Sequence, residues 1–106
     1  MRVAHLKRRC QLDRMIFAVR EKTGRIIRLT NERWVHIIKH PEMANKIEQI
    51  KETLTHPTKI TAFEFDPRVK FYYRYYKEMN GYLFVSVKYL NGEGFIITSF
   101  YTDKIK

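Results

Sequence analysis

Along the chain the period of apolar positions moves from two, to between three and four, and back to two. In MIFAVREKTGRIIRL, two runs rich in β-formers, 15–20 and 25–29, flank a Lys-Thr-Gly turn, the pattern of a β-hairpin. From Thr30 onward the spacing is helical. Trp34, Ile37 and Ile38 mark one face of a helix expected over 31–39, with Thr30 as a cap-type residue and Glu32 placing acid in the first turn. Pro41 ends that helix, because proline disfavours helical geometry in the residue before it, and it suits the first turn of another. A second helix is expected over 41–54, with Met43, Ile47, Ile50 and Leu54 at helical spacing and His56-Pro57 as its end.

Beyond residue 58 strands return. KITAFEF, KFYYRYYKEM, GYLFVSVKYL and FIITSFYT are separated by turn signals at Asp66-Pro67, Asn80-Gly81 and Asn91-Gly92-Glu93-Gly94. The last three strands form an antiparallel meander, and the order ββ-αα-ββββ is that of an α+β domain with helices on one face of a sheet. Side chains alternate along each strand. Leu83, Val85, Val87 and Tyr89 read as core, opposite Tyr82, Phe84, Ser86 and Lys88. Phe71, Tyr73 and Tyr75 oppose Tyr72, Arg74 and Tyr76; Phe95, Ile97, Ser99 and Tyr101 oppose Ile96, Thr98 and Phe100. One assignment gathers Lys88, Thr98, Arg74 and Tyr76 on a face away from the helices, although a one-residue bulge would invert any of these strands.

Length changes the picture little: 106 residues make one domain, 15–106, preceded by a basic arm or short helix at 1–14. No run of about 18 apolar residues predicts a membrane span. MRVAHLKRRCQLDRM is basic without the apolar stretch of a signal peptide, and the lone Cys10 cannot form an internal disulfide, so a cytoplasmic location is expected. Charge changes it more. The net is +10, and residues 1–28 hold nine basic residues against only Asp13 and Glu21. Such a chain attracts polyphosphate, so nucleic acid is the first candidate partner and an acidic protein the second. Arg8, Arg9, Arg25, Arg28, Lys39 and Tyr72 are the candidate RNA contacts, cations for phosphates and an aromatic ring for unpaired bases.

The stretch RWVHIIKHPE carries the candidate chemistry. His36 and His40 lie four apart, one helical turn. A zinc protease would need a glutamate after the first histidine; HIIKH has none, and no cysteine or second histidine pair stands nearby, so neither metal nor cofactor is expected. In a purely structural reading, His40 meets the helix dipole at the C-terminus and His36 is half-buried with a satisfied hydrogen bond. In a chemical reading, both move protons near neutral pH. RNA cleavage needs a proton taken from a 2′-hydroxyl, one delivered to the leaving oxygen, and cations where charge gathers on phosphate.

The ordered series RWVHIIKHPEM, IKETLTHPTKI, FYYRYY and LFVSVKYLNGEGFIITSFYTDKIK resembles a family of small phage- and mobile-element-associated nucleases. That family is grouped with barnase, EndoU, colicin-type and RelE-type ribonucleases as the BECR fold. The resemblance covers roughly residues 30–106. It implies helices packed on a curved antiparallel sheet of about four strands, so with the hairpin read above the expected fold is an N-terminal hairpin and two helices packed on such a sheet. It also implies metal-independent RNA cleavage and toxin roles, frequently with a neutralising antitoxin encoded alongside; on this reading tRNA or mRNA is the expected substrate class and the antitoxin is expected to be acidic. The matching positions are His36, His40 and Glu42, the strand lysine Lys88 and the strand threonine Thr98, with Arg74 a looser match. Where the family's last strand reads T-A-Y, this chain has Thr98-Ser99-Phe100, so the phenol is missing and Tyr76 is the substitute to consider.

Overall fold

A computed structural model describes residues 14–105. The expected basic arm, with Arg8 and Arg9, lies outside the described residues except for Arg14. The elements in order are β1 (Met15–Arg20), β2 (Ile26–Thr30), α1 (Asn31–Ile37), α2 (Ile47–Thr55), β3 (Lys59–Ala62), β4 (Val69–Tyr76), β5 (Gly81–Leu90) and β6 (Glu93–Thr102). Short 3-10 turns occupy Pro41–Met43 and Lys77–Met79. The α+β class is as expected.

The sheet differs from the expected four antiparallel strands. It is an open, mixed sheet of six, in the order β1-β2-β6-β5-β4-β3. The hairpin does not pack on the sheet; it extends it, because β2 runs parallel to β6 through Ile27 opposite Gly94 and Arg28 opposite Phe95. Gly94 makes the approach possible. A Cβ there would meet Val87 Cγ1 at 2.9 Å and both Ile27 Cγ1 and Tyr89 Cε1 at 3.0 Å.

Thr30 caps α1 as its sequence implies: its extended backbone (φ −87°, ψ 160°) lets Oγ1 accept from Arg33 N at 3.3 Å. The helix is shorter than 31–39. Lys39 N and His40 N bond back three residues, to His36 O at 3.3 Å and Ile37 O at 3.0 Å, tightening the chain out of the α-helix ahead of Pro41. The expected helix 41–54 divides into the turn Pro41–Met43 and α2, which starts only at Ile47. Ile37, Met43, Ile50 and Leu54 are buried against Ile27, Leu29, Leu83, Val85, Val87 and Ile96 on one side of the sheet. The Asn80-Gly81 turn is also longer than two residues, since Tyr76 pairs with Gly81 and Asn80 sits left-handed at φ 51°. The two-residue turn is Asn91-Gly92, flanked by the pair Leu90 and Glu93, with φ 54° and 82°. No helix among the described residues is long and apolar enough to cross a membrane.

Candidate functional site

The site begins with register. On β5 the expected split holds, with Leu83, Val85, Val87 and Tyr89 toward the helices. The other face of the sheet carries no helix in its register rows. There, Phe100, Phe84, Tyr73 and Lys59 lie opposite one another across β6, β5, β4 and β3, and Thr98, Ser86, Phe71 and Thr61 form the next row. A third row holds Arg28, Phe95, Lys88 and Val69. A bulge creates this arrangement. Ser86 faces Thr98 while Val87 faces Ile96, so Ile97 is the extra residue that switches β6 from one phase to the other. Thr98 and Lys88 therefore share a face, as one sequence assignment required.

Arg74 and Tyr76 do not join them. Arg74 pairs with Leu83 and Tyr76 with Gly81, which puts both on the helix side. Arg74 donates to His56 O at 2.6 Å and lies 3.5 Å from Glu52 Oε2. Tyr76 is buried, its hydroxyl donating to Glu52 Oε1 at 2.5 Å. Burial and then the Glu52 carboxylate push its phenol well above the usual tyrosine range. It cannot stand in for a phenol at position 100 on the other face. Tyr72 is likewise no RNA contact: it is buried, hydrogen-bonded to Tyr89 and 3.5 Å from Glu21 Oε2. Arg25 belongs to that same cluster, its guanidinium 3.9 Å from the Tyr89 ring centre and 3.9 Å from Glu21.

The histidines part company. His36 is exposed in the last turn of α1, and the helix ends one residue later, so the expected one-turn relation to His40 lapses. His40 does not sit at the helix end either; it opens the Pro41–Met43 turn with an extended backbone (φ −87°, ψ 109°). From that corner its ring lies 6.0 Å from Phe100, on the open face. Lys39 beside it is exposed. Lys88 is 3.7 Å from Asp66 Oδ2, and Arg28 is ion-paired with Glu93. Hydrogen bonds from Arg68 hold the Asp66 carboxyl below its usual range against the opposing effect of desolvation, with lesser help from the Arg68 and Lys88 charges. From the Phe84 row to the Lys88 row is four residues, about 13 Å along the strand.

Sequence reasoning missed the aromatic floor. Phe100 touches Phe84 (4.8 Å between ring centres), Phe84 touches Phe71 (5.1 Å) and Phe71 touches Phe63 (5.4 Å). With Tyr73 and Thr102 they line a hollow of about 270 Å³. The signal was present in the alternation Phe71-Tyr73-Tyr75 against Tyr82-Phe84, two aromatic rows that face each other only in the observed register. A wider groove of about 550 Å³ runs beside α2, but Glu48, Glu52 and Glu78 line it against one lysine, Lys51, the wrong sign for polyphosphate. No three His, Cys, Asp or Glu side chains among the described residues gather as metal ligands would. Compared with protein-family models, curated proteins and solved structures, the chain finds no match among any of the three.

Proposed function

We propose that the open sheet face is an RNA site and that the chain is a metal-independent, toxin-type endoribonuclease of BECR-like fold, working in the cytoplasm on tRNA or mRNA. The observation that carries this reading is His40 set against Phe100, on the face that also presents Thr98 and Lys88. His40 takes the proton of a 2′-hydroxyl. The oxygen attacks the adjacent phosphorus, the bond to the 5′-oxygen breaks, and the leaving oxygen receives a proton from His36 or water. The products are a 2′,3′-cyclic phosphate and a 5′-hydroxyl. Thr98 orients the phosphate through its hydroxyl, and Lys88, released from Asp66 and further along the sheet, holds a neighbouring phosphate of the strand. Arg74, Tyr76 and Tyr72 have structural roles. An acidic antitoxin would mask the cations Arg28, Lys39 and Lys88.

Purified protein incubated with total RNA in EDTA tests this. His40→Ala should lower the cleavage rate at least a hundredfold; identical RNA patterns from wild type and His40→Ala would sink the catalytic assignment. A second reading is a non-catalytic RNA-binding module. It is favoured by the hold of Asp66 on Lys88 and by the separation of that lysine from the His40 end of the face. Growth toxicity that survives His40→Ala but is lost with Lys88→Ala would select it.

A further inference from the structure

Resting on the reading of the open face as the RNA side, we infer that it takes unpaired RNA, with flipped-out bases seated in hollows walled by the aromatic rings that lead away from His40. The rings form a continuous chain across the sheet: His40 to Phe100, then Phe84, Phe71 and Phe63, ending at Phe65, 5.4 Å from Phe63. Adjacent rings are tilted by 35° to 73° rather than stacked flat, and they wall two hollows. The hollow of about 270 Å³ beside Phe100 and Phe84 adjoins one of about 300 Å³ at Phe65, and the two share Phe63 and Phe71 as a common wall. Each is small for a drug-sized ligand, and of a scale for one base. Duplex RNA offers no free base faces, so it cannot use them.

Charge selects an anionic strand over an apolar partner. Lys59 ends the Phe100–Phe84–Tyr73 row on β3, and Arg28 and Lys88 run parallel to it two rows away. The chain as a whole carries +10. The first hollow is lined by aromatic rings and Thr102, and Glu64 is the charged residue lining the second, so binding should tolerate any base.

The test uses a fluorescent 2′-O-methyl oligoribonucleotide, which lacks the attacking hydroxyl, as a single strand and as a duplex with its complement. Anisotropy should show the single strand binding at least tenfold more tightly. Phe71→Leu keeps the apolar volume but removes a stacking plane, and should weaken single-strand binding about tenfold. Phe65→Ala should weaken it about fivefold; because Phe65 is 78% exposed, this variant decides the matter if Phe71→Leu unfolds. Equal affinity for duplex, or wild-type affinity in Phe65→Ala and folded Phe71→Leu, overturns the inference. So does a wild-type dimer that becomes monomeric in Phe71→Lys, which would assign the face to a second copy. The assay reads no cleavage: loss of stacking leaves the ribonuclease reading standing, and an uncleaved RNA pattern leaves the stacking reading standing.

Discussion

Gly94→Ala should separate a six-stranded sheet from a four-stranded one with a loose hairpin. Gly94 sits where β6 meets both β5 and β2. The added methyl would meet three atoms at 2.9–3.0 Å, one each from Val87, Ile27 and Tyr89. None can give way easily. Val87 and Ile27 are fully buried, and Tyr89 is held by its phenol bond to Tyr72 and by the Arg25 guanidinium over its ring. Overpacking of this kind costs about 1–3 kcal/mol, and three fixed neighbours place it in the upper half. Alanine also loses less chain entropy on folding, which returns roughly 0.4–1 kcal/mol because Gly94 is not among the positive-φ glycines. The net is about 1.5–2 kcal/mol of destabilisation.

Urea unfolding followed by the fluorescence of Trp34, the one tryptophan, reads this directly. With a slope of about 1–3 kcal/mol per molar urea, the midpoint should fall by roughly 1 M. Hydrogen exchange should show β2 amides losing protection before those of β4 and β5. A wild-type midpoint with unchanged β2 protection would mean that Gly94 is not a close approach, and the parallel join of hairpin to sheet would be wrong.

Three other outcomes are expected. Glu21→Gln should cost about 1–3 kcal/mol, because the carboxylate accepts from Thr23 N at 2.6 Å, Arg25 N at 3.2 Å and the Thr23 hydroxyl. Burial pushes the Glu21 carboxyl up, but those bonds and Arg25 outweigh it and hold it below the ordinary 4.5. Its stabilisation is therefore complete above that pH and lost as pH falls through the lower folded value, so the acid-side drop in Tm should be shallower in Glu21→Gln than in wild type. Tyr76→Phe should cost about 1 kcal/mol through the lost bond to Glu52 while leaving RNA cleavage unchanged; a large loss of cleavage at unchanged stability would return Tyr76 to the site. Asp66→Asn should release Lys88 and steepen the salt dependence of single-strand RNA binding by roughly 0.7 in log–log slope, and an unaltered slope would remove Lys88 from the phosphate contacts.

Much of this fold was legible in the chain. Thr30 announced its cap, the meander announced where its turns lie though not the length of the Lys77–Asn80 loop, and β5 announced its core face through Leu83, Val85 and Val87. The side of Arg74 was legible too, though the residue was assigned to the wrong one. An even-length loop between β4 and β5 makes even positions of one meet odd positions of the other. The observed four-residue loop, Lys77–Asn80, and the two-residue Asn-Gly turn both put Arg74 with Val85 and Leu83 and away from Lys88. The β6 bulge was not legible. Continued from the Asn91-Gly92 turn without Ile97 as an extra residue, β6 would turn Thr98 toward the helices and Ser99 outward. In the structure Ser99 is the buried one, its hydroxyl donating to Phe84 O at 2.8 Å. The parallel join was hidden for another reason: two residues of pairing, Ile27 and Arg28, leave no turn or period to read.

The two faces also differ in how they settle their charges, and that difference bears on which one meets RNA. On the helix side the polar groups are tied to one another. Glu52 answers both Arg74 and Tyr76, and the buried Glu21 answers Thr23, Arg25 and Tyr72, so removing the partners of Glu21 leaves a buried carboxylate unsatisfied. On the open side the cations are answered from the margin: Asp66, in the loop before β4, for Lys88 and the half-exposed Glu93, at the start of β6, for Arg28. A phosphate arriving from solvent can take over those two cations and return both carboxylates to water, with no buried group left behind. Its exchange cost is low and its counterion release is kept. The same phosphate on the helix side would have to break that network and enter beside Glu48, Glu52 and Glu78. On the proposed reading, a chain of net charge +10 would draw RNA in general, and the acids lining the helix-side groove would steer it to the face that holds His40, Thr98 and Lys88.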